Sequence, residues 1–233
     1  MKLRALAAAL ASLALLTMPG SGNAQRGRAH VAQRDWSLIA ARTPEGGIRI
    51  GNPAAPVKLV EYGSISCPHC AAFSAEGALA LRTRHVRSGR VSWEYRPYLI
   101  FPTDPGIFML LNCAGPARFF AATEQLYATQ NDWYGRVRAL PADQLQRIGA
   151  LPPLEQAAAL VHAAGLDLFF RARGLTPAQI NACLADHAGI ERLAAISRHA
   201  NDLGVQGTPT FFINGRSIGT VAWARLEPML AGQ

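Results

Sequence analysis

Apolar positions change their spacing several times along the chain, and each change marks an element. A near-continuous apolar run fills residues 5–16. Ile48-Arg49-Ile50 alternates and reads as an edge strand. Gly51-Asn52-Pro53-Ala54-Ala55-Pro56 is a turn cluster. In Val57-Lys58-Leu59-Val60-Glu61-Tyr62 the apolar density is that of a strand covered on both faces. A helix is expected from Pro68 to about Arg87, with Phe73, Gly77 and Leu81 continuing the face of Cys70; Ser88-Gly89 stops it. The segment from Val91 to Arg96 alternates as a second strand. A strand–helix–strand run of this kind implies parallel pairing through a crossover.

From residue 105 to 186 the texture becomes rich in Ala, Leu and Gln, broken by Gly115-Pro116, Pro141, Pro152-Pro153, Gly165 and Gly174. Four or five short helices and no strand are expected there. Thr176-Pro177 looks like a helix cap followed by proline at the first helical position. These helices read as packing elements, with no catalytic residue singled out. An amphipathic helix over 190–203 follows, carried by Leu193, Ile196 and Leu203. Phe211 to Ile213 and Ser217-Ile218 are strands joined by Asn214-Gly215, a strong hairpin signal. A last helix covers 221–230. The fold class is therefore α/β with an α-helical block set into it.

The chemistry lies between the first buried strand and its helix. Pro68 suits the first helical position, where its missing N–H costs nothing. Cys67 then sits at the helix N-terminus and Cys70 one turn further, on the same face. Unpaired N–H groups and the helix dipole favour a thiolate there, so Cys67 is the candidate nucleophile and Cys70 the resolving thiol. His69 is expected to add positive charge beside Cys67. Other readings of C-x-x-C exist. Structural zinc wants four ligands, and Cys113 and Cys183 are single and distant. Haem attachment needs His at position 71, which is Ala. A purely structural disulfide is the third.

Composition narrows the setting. The chain has 233 residues, half of them hydrophobic, enough for one large domain or one domain with an insertion. Lys2 and Arg4, the apolar run and the small residues before Ala24 have the pattern of a secretory signal, cleaved near Ala24. Residues 25–47 read as a flexible leader with one short helical turn near Trp36 to Ala41. Four cysteines in an exported chain can persist as disulfides. The net charge of +8 comes almost wholly from Arg spread along the chain, without a dense basic run bearing aromatics. Nucleic-acid binding is therefore not expected.

A second signal is Thr208-Pro209 at the start of a strand, where proline cannot donate to the ladder. The residues alone leave its isomer open. Cys67-Pro68-His69-Cys70 after a strand, with Gly-Thr-Pro-Thr-Phe-Phe before an Asn-Gly hairpin, resembles the thioredoxin superfamily. The helical block and exported context resemble its DsbA-like thiol:disulfide oxidoreductases. The resemblance covers roughly residues 48–232. It implies a thioredoxin-like fold with an inserted α-helical domain: first part 48–104, helical insertion 105–187, second part 188–233. It implies a cis Pro209 against the active disulfide, with Thr208 and Pro209 binding substrate and tuning the redox poise. It places an acid under the active helix, and Glu61 holds the matching position; the alternative is an ordinary strand-end carboxylate. It also suggests a second, structural disulfide between Cys113 and Cys183, 70 positions apart; such a loop would contribute about 4 kcal/mol. The alternative is two buried free thiols. His85, His162, His187 and His199 are read as surface or core residues.

The expectation is an exported, periplasmic, monomeric enzyme that introduces disulfides into cysteine-containing exported polypeptides, with no cofactor and no metal. A membrane partner of the DsbB type would reoxidise it, as the resemblance implies. The rivals are an isomerase or reductase on the same fold, and a non-enzymatic polypeptide-binding chaperone.

Overall fold

The computed structural model describes residues 34–231. The signal segment expected over 1–24 and the first part of the leader lie outside them. Six strands form one sheet in the order β1-β2-β4-β3-β5-β6. They are β1 (Ala40–Arg42), β2 (Ile48–Ile50), β3 (Val57–Gly63), β4 (Val91–Pro97), β5 (Thr210–Ile213) and β6 (Arg216–Gly219). β3 and β4 are parallel, as the strand–helix–strand run requires, and pair from Val57↔Val91 to Gly63↔Pro97. The other pairs are antiparallel.

Two expectations at the N-terminal side are corrected. The short helical turn expected near Trp36 to Ala41 is a 3-10 turn over Trp36–Leu38, capped by Asp35, and the leader then forms β1, a strand that was not expected. β1 pairs with β2, so Ile48-Arg49-Ile50 is an interior strand and not an edge, with Ile48 and Ile50 both buried. Ala40-Ala41-Arg42 has too little apolar contrast for its own pattern to announce a strand; the pairing edge of β2 makes it one.

β3 sorts its side chains by alternation. Leu59 and Glu61 face the helix that follows, α1 (Pro68–Phe73). That helix continues through two π-helical segments, Ser74–Ala78 and Leu81–Val86, where a uniform α-helix was expected. Such turns are frequent near functional sites. On the opposite face Tyr62 and Phe212 pack with Ile196, Ala200 and Val205 under α9 (His187–Asp202). The last helix, α10 (Trp223–Ala231), closes over α1. Phe73 meets Phe211 at 4.7 Å and Trp223 at 6.3 Å between ring centres.

The helical block holds seven helices, more than the four or five expected. They are α2 (Asp104–Ala114), α3 (Pro116–Ala128), α4 (Gln130–Arg138), α5 (Ala142–Gly149), α6 (Pro153–Ala163), α7 (Leu166–Arg171) and α8 (Pro177–Leu184). Gly115, at φ +86°, makes the expected break between α2 and α3, and Thr129 alone separates α3 from α4, a break no proline or glycine announces. Thr176 and Gln179 cap α8 reciprocally. Cys113 on α2 and Cys183 on α8 are bonded, with Cα atoms 6.3 Å apart. In the hairpin Asn214 and Gly215 take φ of 49° and 81°, the pair that a type I′ turn needs. Asn214 also exchanges hydrogen bonds with the Lys58 backbone, at 2.8 and 2.9 Å, which fixes β5 on β3.

Gly77 marks the tightest joint between α1 and α10. A Cβ there would lie 2.5 Å from the Trp223 ring. Gly77→Ala gains helix propensity of up to about 1 kcal/mol, but overpacking costs about 1–3 kcal/mol. We expect a net loss, read as a thermal midpoint several degrees lower by circular dichroism.

Candidate active site

β3 ends at Gly63 and the chain turns through Ser64-Ile65-Ser66 into Cys67, with the Cys67 N–H donating to Ser64 O at 3.2 Å. Cys67 is the cap residue of α1, in extended backbone conformation, and Pro68 occupies the first turn. Both cysteines are reduced and buried; Cys70 has no exposed surface and Cys67 has 5%. The Thr208–Pro209 bond is cis and lies beside them. The Cys67 thiol donates to Thr208 O at 3.3 Å. The Thr208 hydroxyl is buried and has no hydrogen-bond partner.

The two sulfurs are driven apart in acidity. Cys67 is lowered to about 5, first by the hydrogen bond from the Cys70 thiol, against the cost of burial, then by the Thr208 hydroxyl and the N–H groups of Cys70 and His69. Cys70 is raised well above the ordinary thiol range, first by burial, then by its bond to Cys67 and the negative charges of Glu61 and Cys67. The Ser64 amide opposes that rise. Glu61 is fully buried, and burial pushes it up to about 8 despite the Trp93 indole N–H, which donates to its carboxylate at 3.0 Å. At neutral pH the site therefore holds a thiolate, a thiol and a mostly neutral carboxyl.

The structure thus gathers Cys67, Cys70, Glu61, Thr208 and Pro209. His69 and Pro68 are exposed. The backbone N–H of His69 is among the groups that lower Cys67. Among the described residues, no group of three or more His, Cys, Asp or Glu side chains is placed to hold a metal ion.

Sequence reasoning missed three residues of the helical block. Asp104, at the start of α2, has no exposed surface and accepts from the Ser64 hydroxyl at 2.8 Å and the Ser66 amide and hydroxyl at 3.2 and 2.9 Å. It also accepts from the Ile100 and Phe101 amides. Tyr127 on α3 donates to Ser64 O at 3.1 Å, and its oxygen meets the Tyr95 hydroxyl at 2.7 Å. Gln130 on α4 donates to Ile65 O at 2.8 Å and Cys67 O at 3.0 Å. The only sequence signal was polarity inside an otherwise apolar, helical texture.

The family model described as thioredoxin matches residues 43–231. A crystal structure of a protein-disulfide isomerase from Novosphingobium aromaticivorans is 32% identical, with 78% of this chain and 94% of that one covered and a TM-score of 0.74. The crystal structure of Wolbachia pipientis alpha-DsbA1 is 18% identical over 78% of this chain and 88% of that one, with a TM-score of 0.60. A provisionally named protein-disulfide oxidoreductase of Rickettsia bellii is 24% identical over 76% of this chain. The chain spans 60% of the length of that relative.

The acidities set a pH profile. Because Cys67 is lowered in the folded state, its contribution to the stability of the reduced form is full above the ordinary thiol value of about 9. It is lost as pH falls through about 5. Iodoacetamide alkylation of Cys67 should accordingly rise with a midpoint near 5 and reach a plateau by neutral pH. A midpoint near 9 contradicts the site's electrostatics.

Proposed function

The chain belongs to the thioredoxin family and has the thioredoxin-like fold with an inserted helical block; from that premise we propose that it is a thiol:disulfide oxidoreductase that donates the Cys67–Cys70 disulfide to substrate proteins. The observation that carries this reading is the asymmetry of the two sulfurs. A thiolate stabilised in the reduced enzyme makes its disulfide the stronger oxidant.

In the oxidised enzyme a substrate thiolate attacks Cys67 Sγ. The Cys67–Cys70 bond breaks, a mixed disulfide forms at Cys67, and the electron pair leaves on Cys70. Glu61, neutral at this pH, is placed to protonate the Cys70 sulfur. A second substrate thiolate then attacks the substrate sulfur of the mixed disulfide, and Cys67 leaves as its stable thiolate. The substrate departs with a disulfide and the enzyme as a dithiol. In the reverse direction Glu61 takes the proton from Cys70. Thr208 and Pro209 line the approach to Cys67, so they are the residues that receive the substrate chain. The Cys113–Cys183 bond ties α2 to α8 and serves stability.

The setting follows from the same reading: a monomer, exported to the periplasm, acting on cysteine-containing exported polypeptides and reoxidised by a membrane partner of the DsbB type. One observation favours a second reading, an isomerase or reductase on the same site, because the 32% identical solved neighbour is titled a protein-disulfide isomerase.

Cysteine replacements test the mechanism. With a reduced, unfolded substrate, Cys67→Ser should abolish oxidation. Cys70→Ser should accumulate a mixed disulfide at Cys67, visible on a non-reducing gel after acid quenching. Full activity in Cys67→Ser contradicts the mechanism. In the parent background Glu61→Gln should slow oxidation about tenfold or more, while leaving alkylation of Cys67 near its parent profile.

A further inference from the structure

The turn that delivers Cys67 is held almost entirely from outside its own strand and helix. Each of its four residues, Ser64 to Cys67, makes at least one hydrogen bond with a side chain of the helical block. Ser64 gives its hydroxyl to Asp104 and receives Tyr127 on its carbonyl. Ile65 receives Gln130 on its carbonyl. Ser66 gives both its amide and its hydroxyl to Asp104, and its oxygen also meets the Thr103 hydroxyl at 2.6 Å. Cys67 receives the second N–H of Gln130 on its carbonyl, beside the bond from the Ala71 amide.

The direction of the tyrosine pair follows from Ser64 O, which can only accept. Tyr127 spends its proton there, so its oxygen accepts from Tyr95. Tyr95 sits opposite Glu61 in the β3–β4 register. Gly63 has no room for a side chain because the Tyr95 ring and hydroxyl fill that space. All three block residues are buried: Asp104 fully, Tyr127 and Gln130 at 7% exposure. Buried groups bonded this completely are rigid, and losing one bond leaves its partner unpaired at a cost that favours rearrangement.

We propose that Asp104, Tyr127 and Gln130 form a clamp of positioning residues that fixes the Ser64–Cys67 turn, and through it the placement of both sulfurs and of Thr208 against Cys67. The helical block then sets the reactivity of the nucleophile without touching the reacting atoms. The Cys67 sulfur lies within a single hydrogen-bond distance of Thr208 O, at 3.3 Å, so its surroundings change when the cap residue drifts. The proposal rests on Cys67 being the nucleophile, as argued above.

Two variants test it. Gln130→Met keeps the length and volume but leaves the Ile65 and Cys67 carbonyls without a side-chain donor. Tyr127→Phe removes one oxygen and leaves the fold's packing intact. The readout is alkylation of Cys67 against pH, with circular dichroism on the same samples. In each folded variant the midpoint should rise by about one pH unit, so that alkylation at pH 5 falls about fivefold. The glutathione equilibrium constant should shift about tenfold toward the disulfide. Gly77→Ala, which strains α1 against α10 away from the turn, should lower stability without moving the midpoint. Unchanged midpoints in both clamp variants overturn the proposal, as does an equal shift in Gly77→Ala. A parent midpoint near 9 instead overturns the functional reading itself, and so separates the two failures. Tyr127→Phe decides alone if Gln130→Met does not fold.

Discussion

A negative sulfur largely shut away from water is costly, and Cys67 is such a sulfur. Its charge is sustained by four donors that are each local and geometric: the Cys70 thiol, the Thr208 hydroxyl and two backbone N–H groups of the first helical turn. None of them is a cation. The architecture around the site follows from keeping these four in place. β3 and β4 lie at the centre of the sheet so that α1 starts at a fixed height. β5 is hooked to β3 through Asn214, and the strand led by Thr208 and Pro209 starts beside Cys67.

Two carboxyl groups buried near the site, Asp104 under the turn and Glu61 near Cys70, have opposite environments. Asp104 accepts from two hydroxyls and three amides, and these bonds oppose the upward push of burial. Its task is to tie segments together. Glu61 has one donor, the Trp93 indole, and burial carries it to about 8. A carboxyl so weakly satisfied exchanges its proton near neutral pH, which suits the proton transfer proposed for it with Cys70. The number of donors around each acid separates a structural role from a chemical one.

Much of this was legible in the chain. Cys67-Pro68-His69-Cys70 after an apolar strand placed Cys67 at the start of α1, and Asn214-Gly215 placed the hairpin, because both signals are local. β1 was not legible, since Ala40-Ala41-Arg42 becomes a strand only by pairing with β2. Tyr127 and Gln130 were read as packing, and Asp104, one residue before the expected helical block, was not singled out. Tyr127 and Gln130 meet the turn across separations of 63 and 65 residues, which no periodicity encodes. The division of the sequence into a catalytic fold and a packing block hid the fact that the block reaches into the site.

The central claim is that the reduced state of the Cys67–Cys70 pair is stabilised by the thiolate. The most direct measurement is the equilibrium of that pair with a glutathione buffer, on protein with the Cys113–Cys183 bond intact. The account predicts a potential toward the oxidising end of the thioredoxin-like range, nearer to roughly −120 mV than to roughly −270 mV. A value at the reducing end would contradict it and would make the chain a reductase in need of an electron supply.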